Sequence, residues 1–192
     1  MRLFLALELE PAVRDCVGSV RSRWPSGSAD VRWTEPENFH LTVVFLGEQD
    51  PVALSGIQEA CDTVASETSP FRIEFAGASG FPKHGPLRTL FVPLVAGADA
   101  WRELVERAEP WFVPMGVARN GGLVPHLTVG RVKSGGDDPE LRAGLESLSG
   151  VSFGGHDVVG MSLVHSVLDR SGATYRTVSK HRFGGPVSGE TA

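Results

Sequence analysis

The sequence predicts an α+β chain folded as two similar lobes, and three observations carry that prediction. Strand-like and helix-like segments both recur along its whole length. The chain has 192 residues, a size that suits one domain or two tightly joined lobes better than separate modules. Finally, the tetrapeptide His-Leu-Thr-Val occurs twice, beginning at His40 and at His126, 86 residues apart. That interval is too long for a solenoid repeat. Each copy follows a helix and a loop, so the pair fits a decayed duplication.

Residues 2–9 form the first strand: the segment is apolar but short, ends in acids and lacks a small-residue cleavage site, unlike a secretory signal. Pro11 then opens an amphipathic helix over 11–24, with Val13, Cys16, Val17 and Val20 near helical spacing. A loop rich in Ser, Gly and Pro over 25–30 leads to a short strand, Val31–Trp33. Residues 34–38 turn into a second strand over 39–46, where Val43, Val44 and Phe45 favour extended structure and Gly47 ends it. Within 51–68 the apolar Leu54, Ile57, Cys61, Val64 and Ala65 recur every three or four residues, the signature of one helical face. Strands over 71–76 and 88–95 flank a Gly/Pro loop over 77–86, and a helix over 99–108 is bounded by Pro110 and Pro114. A strand over 124–133 carries the second tetrapeptide. A helix over 139–148 and strands over 151–166 and 174–180 close a single bilobal domain over 1–183, and 184–192 read as a frayed tail.

Composition bounds the function. With 41% hydrophobic and 21% charged residues, the chain is an ordinary globular protein, and no apolar run approaches the roughly 20 residues that a membrane span needs. Cys16 and Cys61 lie in helix-like stretches with neither metal-ligand spacing nor a CxxC pair. They read as thiols of a reducing compartment, so the cytoplasm is the expected location. A formal charge of −5 argues against a broad basic surface that wraps duplex nucleic acid. Any contact with RNA is expected to be local, near an end.

Alternation along a strand puts His40 and Thr42 on one face about 7 Å apart, and His126 and Thr128 likewise. Two such strands about a pseudo-two-fold axis line one cleft with two imidazoles and two hydroxyls. In-line displacement at phosphorus needs a base on the attacking oxygen and an acid on the leaving oxygen. Imidazole titrates near neutrality, so one ring can be neutral while the other is protonated. The threonine hydroxyls can hold the non-bridging oxygens. A lone histidine in an apolar strand is more often packed or merely exposed. Packing, however, gives no reason to repeat His-Leu-Thr-Val, whereas Leu41, Val43, Leu127 and Val129 explain the buried faces.

The chain resembles the RNA 2',3'-cyclic phosphodiesterases, also called the 2'-5' RNA ligase family, of the two-histidine phosphoesterase superfamily. The two His-x-Thr-x signatures match His40 to Val43 and His126 to Val129. Also similar are the opening from Arg2 to Ala6, the runs Val31–Trp33, Glu37 to His40 and Phe45 to Gly47, the pair Phe81 and Pro82, and the ending pattern of Leu163, Ser166, Gly172 and Tyr175. Two departures, Val124 where an aromatic is frequent and Phe91 where tryptophan is common, bear on base preference rather than on the reaction.

The resemblance implies a bilobal fold, each lobe an antiparallel sheet with outer helices around a central cleft. It implies that RNA 3' ends bearing a 2',3'-cyclic phosphate are opened to a 2'-phosphate, with no cofactor and no metal. By the same resemblance His40 is the proton donor and His126 the proton acceptor, although the two motifs are too alike for the sequence itself to decide. Thr42 and Thr128 are the expected phosphate contacts. Arg131 joins them if a bulge turns it to their face, since its odd offset from His126 otherwise points it away. Phe81 is a candidate for stacking on a base. Lys83, His84 and Arg88 read as solvated loop charges, as do Lys180, His181 and Arg182, and His156 and His165 as structural. A monomer without an obligatory partner is expected. Alternatives are 2'-5' ligation, a small cyclic nucleotide or ADP-ribose cyclic phosphate as substrate, a non-catalytic module for RNA ends, and, last, a metal site at His40 and His126, which lacks nearby carboxylates or thiols.

Overall fold

The structure, a computed structural model, describes residues 1–24, 31–117, 124–133, 139–168 and 173–184. The predicted loop over 25–30, Gly172 and the stretch 185–192 lie outside the described residues. The elements run β1 (Arg2–Glu8), α1 (Pro11–Gly18), α2 (Val20–Arg23), β2 (Val31–Trp33), β3 (His40–Glu48), α3 (Leu54–Ser66), β4 (Phe71–Ala76) and β5 (Ser79–Phe81). They continue with β6 (Thr89–Ala96), α4 (Ala98–Phe112), β7 (His126–Val132), α5 (Pro139–Ser147), β8 (Ser152–Val158), β9 (Gly160–Leu168) and β10 (Ala173–Arg182).

Two sheets result, each antiparallel between neighbours, as expected. The first has the order β10-β9-β1-β3. The second has the order β2-β7-β6-β4-β8, with β5 added on β6. The lobes are not consecutive halves of the chain, because β9 and β10 return to the sheet begun by β1. Helices interleave the same way: α1 packs against β8 of the second sheet, while α3 lies on β9 and β10 and α4 on β3 of the first. One apolar core runs through both lobes, from Leu5, Leu41 and Val43 to Leu90, Leu127 and Val129. Among the described residues no helix is long and apolar enough to cross a membrane.

The predicted apolar face of α3 is the buried one, with Ile57, Cys61 and Val64 fully enclosed. Burial raises the Cys61 thiol to about 12, so it packs as a small hydrophobe rather than reacting. Gly97 makes the turn into α4 with φ of 82°, and a side chain there would collide with the Arg72 carbonyl.

Four local expectations need correction. The helix over 11–24 is two helices, interrupted at Ser19, whose hydroxyl bonds back to the Cys16 carbonyl at 2.6 Å. The loop over 77–86 contains β5, since Ser79, Gly80 and Phe81 pair with β6. Helix α4 does not stop before Pro110 but contains it and runs on to Phe112, whose fully buried ring carries the last turn into the core. Gly184, expected to begin the tail, still donates its N–H to the Ala65 carbonyl at 3.1 Å.

Candidate active site

His40 and His126 are the first residues of β3 and β7. In both strands the histidine and the threonine two residues on are half-buried, while the leucine and valine between and after them are buried. Alternation therefore delivers each imidazole and hydroxyl to one face and each aliphatic pair to the core. The two strands touch, which brings the faces together across the cleft.

Both rings are tethered alike. Nδ1 of His40 lies 2.8 Å from the Asn38 carbonyl oxygen, and Nδ1 of His126 lies 2.8 Å from that of Val124. A carbonyl only accepts, so each Nδ1 must carry a proton and donate it. That fixes the neutral tautomer and leaves Nε2 of both rings as the atom that gives or takes a proton. Each ring is also walled by aromatics. Phe4 and Tyr175 lie 4.8 and 5.0 Å from His40; Phe81 and Phe91 lie 5.1 and 5.3 Å from His126, both presenting edge-on geometry. Burial pushes the His40 ring below its ordinary pKa; the Asn38 bond opposes this, and repulsion from His126 reinforces it.

Past the threonine each strand carries a one-residue irregularity. In β3, Ala6 pairs with Thr42 and Leu5 with Val44, which leaves Val43 unmatched. In β7, Phe91 pairs with Thr128 and Leu90 with Gly130, which leaves Val129 unmatched. Two successive residues are buried in each strand, and the next is exposed: Phe45 in one, Arg131 in the other. The bulge intervenes as Arg131 required, turning it to the face of Thr128. Its guanidinium lies 3.5 Å from the Thr89 hydroxyl. Gly130 is needed at the bulge because a Cβ there would lie 2.8 Å from Val31 of β2.

Phe45 was missed by sequence reasoning. Strict alternation assigns it to the core face, yet the residue is 56% exposed and its ring lies 6.2 Å from Phe4 on the cleft side. The signal was present in the longer echo, since Phe45 stands five residues after His40 as Arg131 stands five after His126. Phe81 is differently placed: one of its faces stacks on Phe91 at 4.4 Å, and its ring packs against His126.

Lys83, His84 and Arg88 are exposed, as expected. Lys180 is also exposed, and it pairs with Glu8 at 2.7 Å. Burial alone would push the Glu8 carboxyl up, but hydrogen bonds from Lys180, Ser162 and Thr177 and the Lys180 charge hold it below its ordinary value. His181 corrects the solvated reading: it is buried, with Nδ1 donating to Asp62 at 2.6 Å and Nε2 2.8 Å from the Ser179 hydroxyl. His156 is buried in β8, and Arg182 is exposed.

Known proteins match this arrangement. The profile of the LigT-like phosphoesterases fits residues 7–91. The RNA 2',3'-cyclic phosphodiesterase of Methanothermobacter thermautotrophicus is 31% identical over 183 residues, covering 95% of this chain and 99% of that protein. The protein of the same name from Archaeoglobus fulgidus is 32% identical over 176 residues, covering 92% and 97%. Among solved structures, TT0787 of Thermus thermophilus superposes with a TM-score of 0.81 at 25% identity, covering 96% of this chain and 99% of that one. Apo LigT of E. coli shares the fold, with a TM-score of 0.76 at 19% identity over 96% of this chain and 98% of its own. Two sheets that each present one histidine and one threonine to a common cleft, together with relatives of this similarity over nearly the whole length, make the chain a member of the LigT-like phosphoesterase family of two-histidine enzymes.

Proposed function

We propose that the protein hydrolyses the 2',3'-cyclic phosphate at the 3' end of an RNA to a 2'-phosphomonoester, without a metal. The observation that carries this reading is the pair of tethered imidazoles, each with Nδ1 protonated and Nε2 left for chemistry. The names of the relatives supply the substrate class.

In this scheme the phosphate lies between the rings. His126 Nε2 takes a proton from water as the water oxygen bonds to phosphorus. The bond from phosphorus to the 3' oxygen breaks, and His40 Nε2 gives that oxygen its proton. The products are a 2'-phosphate and a free 3' hydroxyl. The lowered pKa of His40 would by itself favour its neutral form. The phosphate anion opposes that, since a negative charge between the rings favours the protonated imidazole. Thr42 and Thr128 donate to the non-bridging oxygens, and Arg131 balances their charge. Phe45 offers its open face to the terminal base, and stacking on an aromatic suits any base; Phe81 and Phe91 hold His126. Two imidazoles supply both proton transfers, so the scheme asks nothing of a metal. A single bilobal domain acting as a monomer in the cytoplasm completes the proposal.

The test is to incubate the protein, in EDTA, with a short RNA ending in 2',3'-cyclic phosphate and to locate the phosphate in the product. A 2'-phosphate is expected. An intact cyclic end, or a 3'-phosphate, overturns the reading.

A further inference from the structure

A cavity of about 200 Å³ opens beside His40 on the cleft face of the first sheet. Its lining comes from β1, β9, β10, Arg14 of α1 and the segment that leads into β3 and ends at His40, and includes no residue of β7. The floor is apolar: Phe4, Ala6 and Val164, all buried, form a small cluster of their own with Tyr175 packed against it. The rim is polar. Glu8, Glu37, Arg14 and Lys180 give it two charges of each sign, with Asn38 and Thr177 between them. Lys180 is already neutralised by Glu8 at 2.7 Å, and Arg14 donates to the Leu9 carbonyl at 3.1 Å.

We propose that this cavity is a subsite for the base of the nucleotide on the 5' side of the cyclic end, so that the protein prefers an RNA chain to a mononucleotide. The inference rests on the proposed function, and three features carry it. An apolar floor under a polar rim of no net charge matches a flat heterocycle with hydrogen-bonding edges, whereas a further phosphate would need a surplus of cations. The volume is below the roughly 300 Å³ at which sites for drug-sized ligands begin, so it admits one base or sugar and no more. Position is the third feature. In-line opening puts the departing 3' oxygen, and the ribose that bears it, on the His40 side, so the chain must leave the site along the sheet that holds this cavity. Phe45 takes the terminal base, and the cavity is left for the next one.

The experiment compares kcat/KM for a 2',3'-cyclic mononucleotide and for a dinucleotide that ends in the same cyclic nucleotide. Base stacking is worth about 1–3 kcal/mol, so the dinucleotide should be favoured by roughly fivefold to 150-fold. Thr177→Trp, which fills the cavity from an exposed strand position, should bring the ratio close to one. Lys180→Ala, which removes one edge contact, should lower it severalfold, and Arg102→Ala, on the far helix, should leave it unchanged. Equal values for the two substrates in the wild-type protein overturn the subsite and leave the proposed function standing. A ratio unaffected by either cavity variant overturns its location, and a protein that opens neither substrate refutes the subsite together with the reading it rests on.

Discussion

Phe45 and Arg131 occupy equivalent places in the two lobes, five residues past His40 and His126, each turned to the cleft by one unmatched valine. The geometry is duplicated and the chemistry is not: one lobe offers an aromatic face, the other a guanidinium. On the proposed function, one end of the cleft takes the base and the other the phosphate.

Removing either member should separate these roles. Phe45→Ala is expected to lower kcat/KM by about tenfold, within the 1–3 kcal/mol of a stacked base, and Phe45→Trp should retain most activity. Arg131→Met should weaken binding of the 2'-phosphate product by roughly tenfold to a hundredfold, the range for a charge-assisted hydrogen bond. Product inhibition constants measure it. If Phe45→Ala and Arg131→Met give the same pattern, the two ends are not distinct.

His40→Ala and His126→Ala should each lose about 10²-fold to 10⁴-fold in single-turnover rate, the usual contribution of a positioned acid or base. The double variant should be little worse than either single one, because the two proton transfers serve one displacement.

The pH dependence follows from the lowered His40 pKa. A general acid must be protonated, and a group with a lowered pKa loses its proton earlier as pH rises. The alkaline limb of kcat/KM, which reports the free enzyme, should thus fall below the ordinary imidazole value of about 6.5. In His126→Gln the repulsion is gone, and the His40 ring, followed by NMR, should titrate at higher pH. An unmoved titration would show that the rings do not sense each other.

Trp101 supplies a test of stability. Its indole donates to the Thr42 carbonyl at 3.1 Å, on the outer side of β3, an edge strand. Trp101→Phe should cost about 1 kcal/mol by leaving a partly buried carbonyl unpaired, measured by denaturant unfolding. It should also slow turnover, since the strand it steadies carries His40.

Much of this was legible because the motif obeys local rules. Alternation alone placed His40, Thr42, His126 and Thr128 on the cleft face and their leucines and valines in the core. Phe45 escaped because a bulge is decided by the register of a partner strand, which no local pattern reveals. His181 was misread because the carboxylate that receives it, Asp62, lies 119 residues away. Strand β5, three residues inside a Gly/Pro stretch, exists only through its pairing with β6. Pro110 is a helix-ender by propensity, and here the burial of Phe112 prevails.

The tethers of His40 and His126 run to main-chain oxygens only two residues upstream. In a serine protease the orienting acceptor is a separate carboxylate, and losing that side chain disables the histidine. Here no substitution of a distant residue can delete the acceptor, because every residue type carries a carbonyl. Each strand brings its own alignment, and sequence around the site is free to drift while the rings stay aimed. A unit of this kind can recur a whole lobe away with its ring still aimed, as the equal tethers of His40 and His126 show.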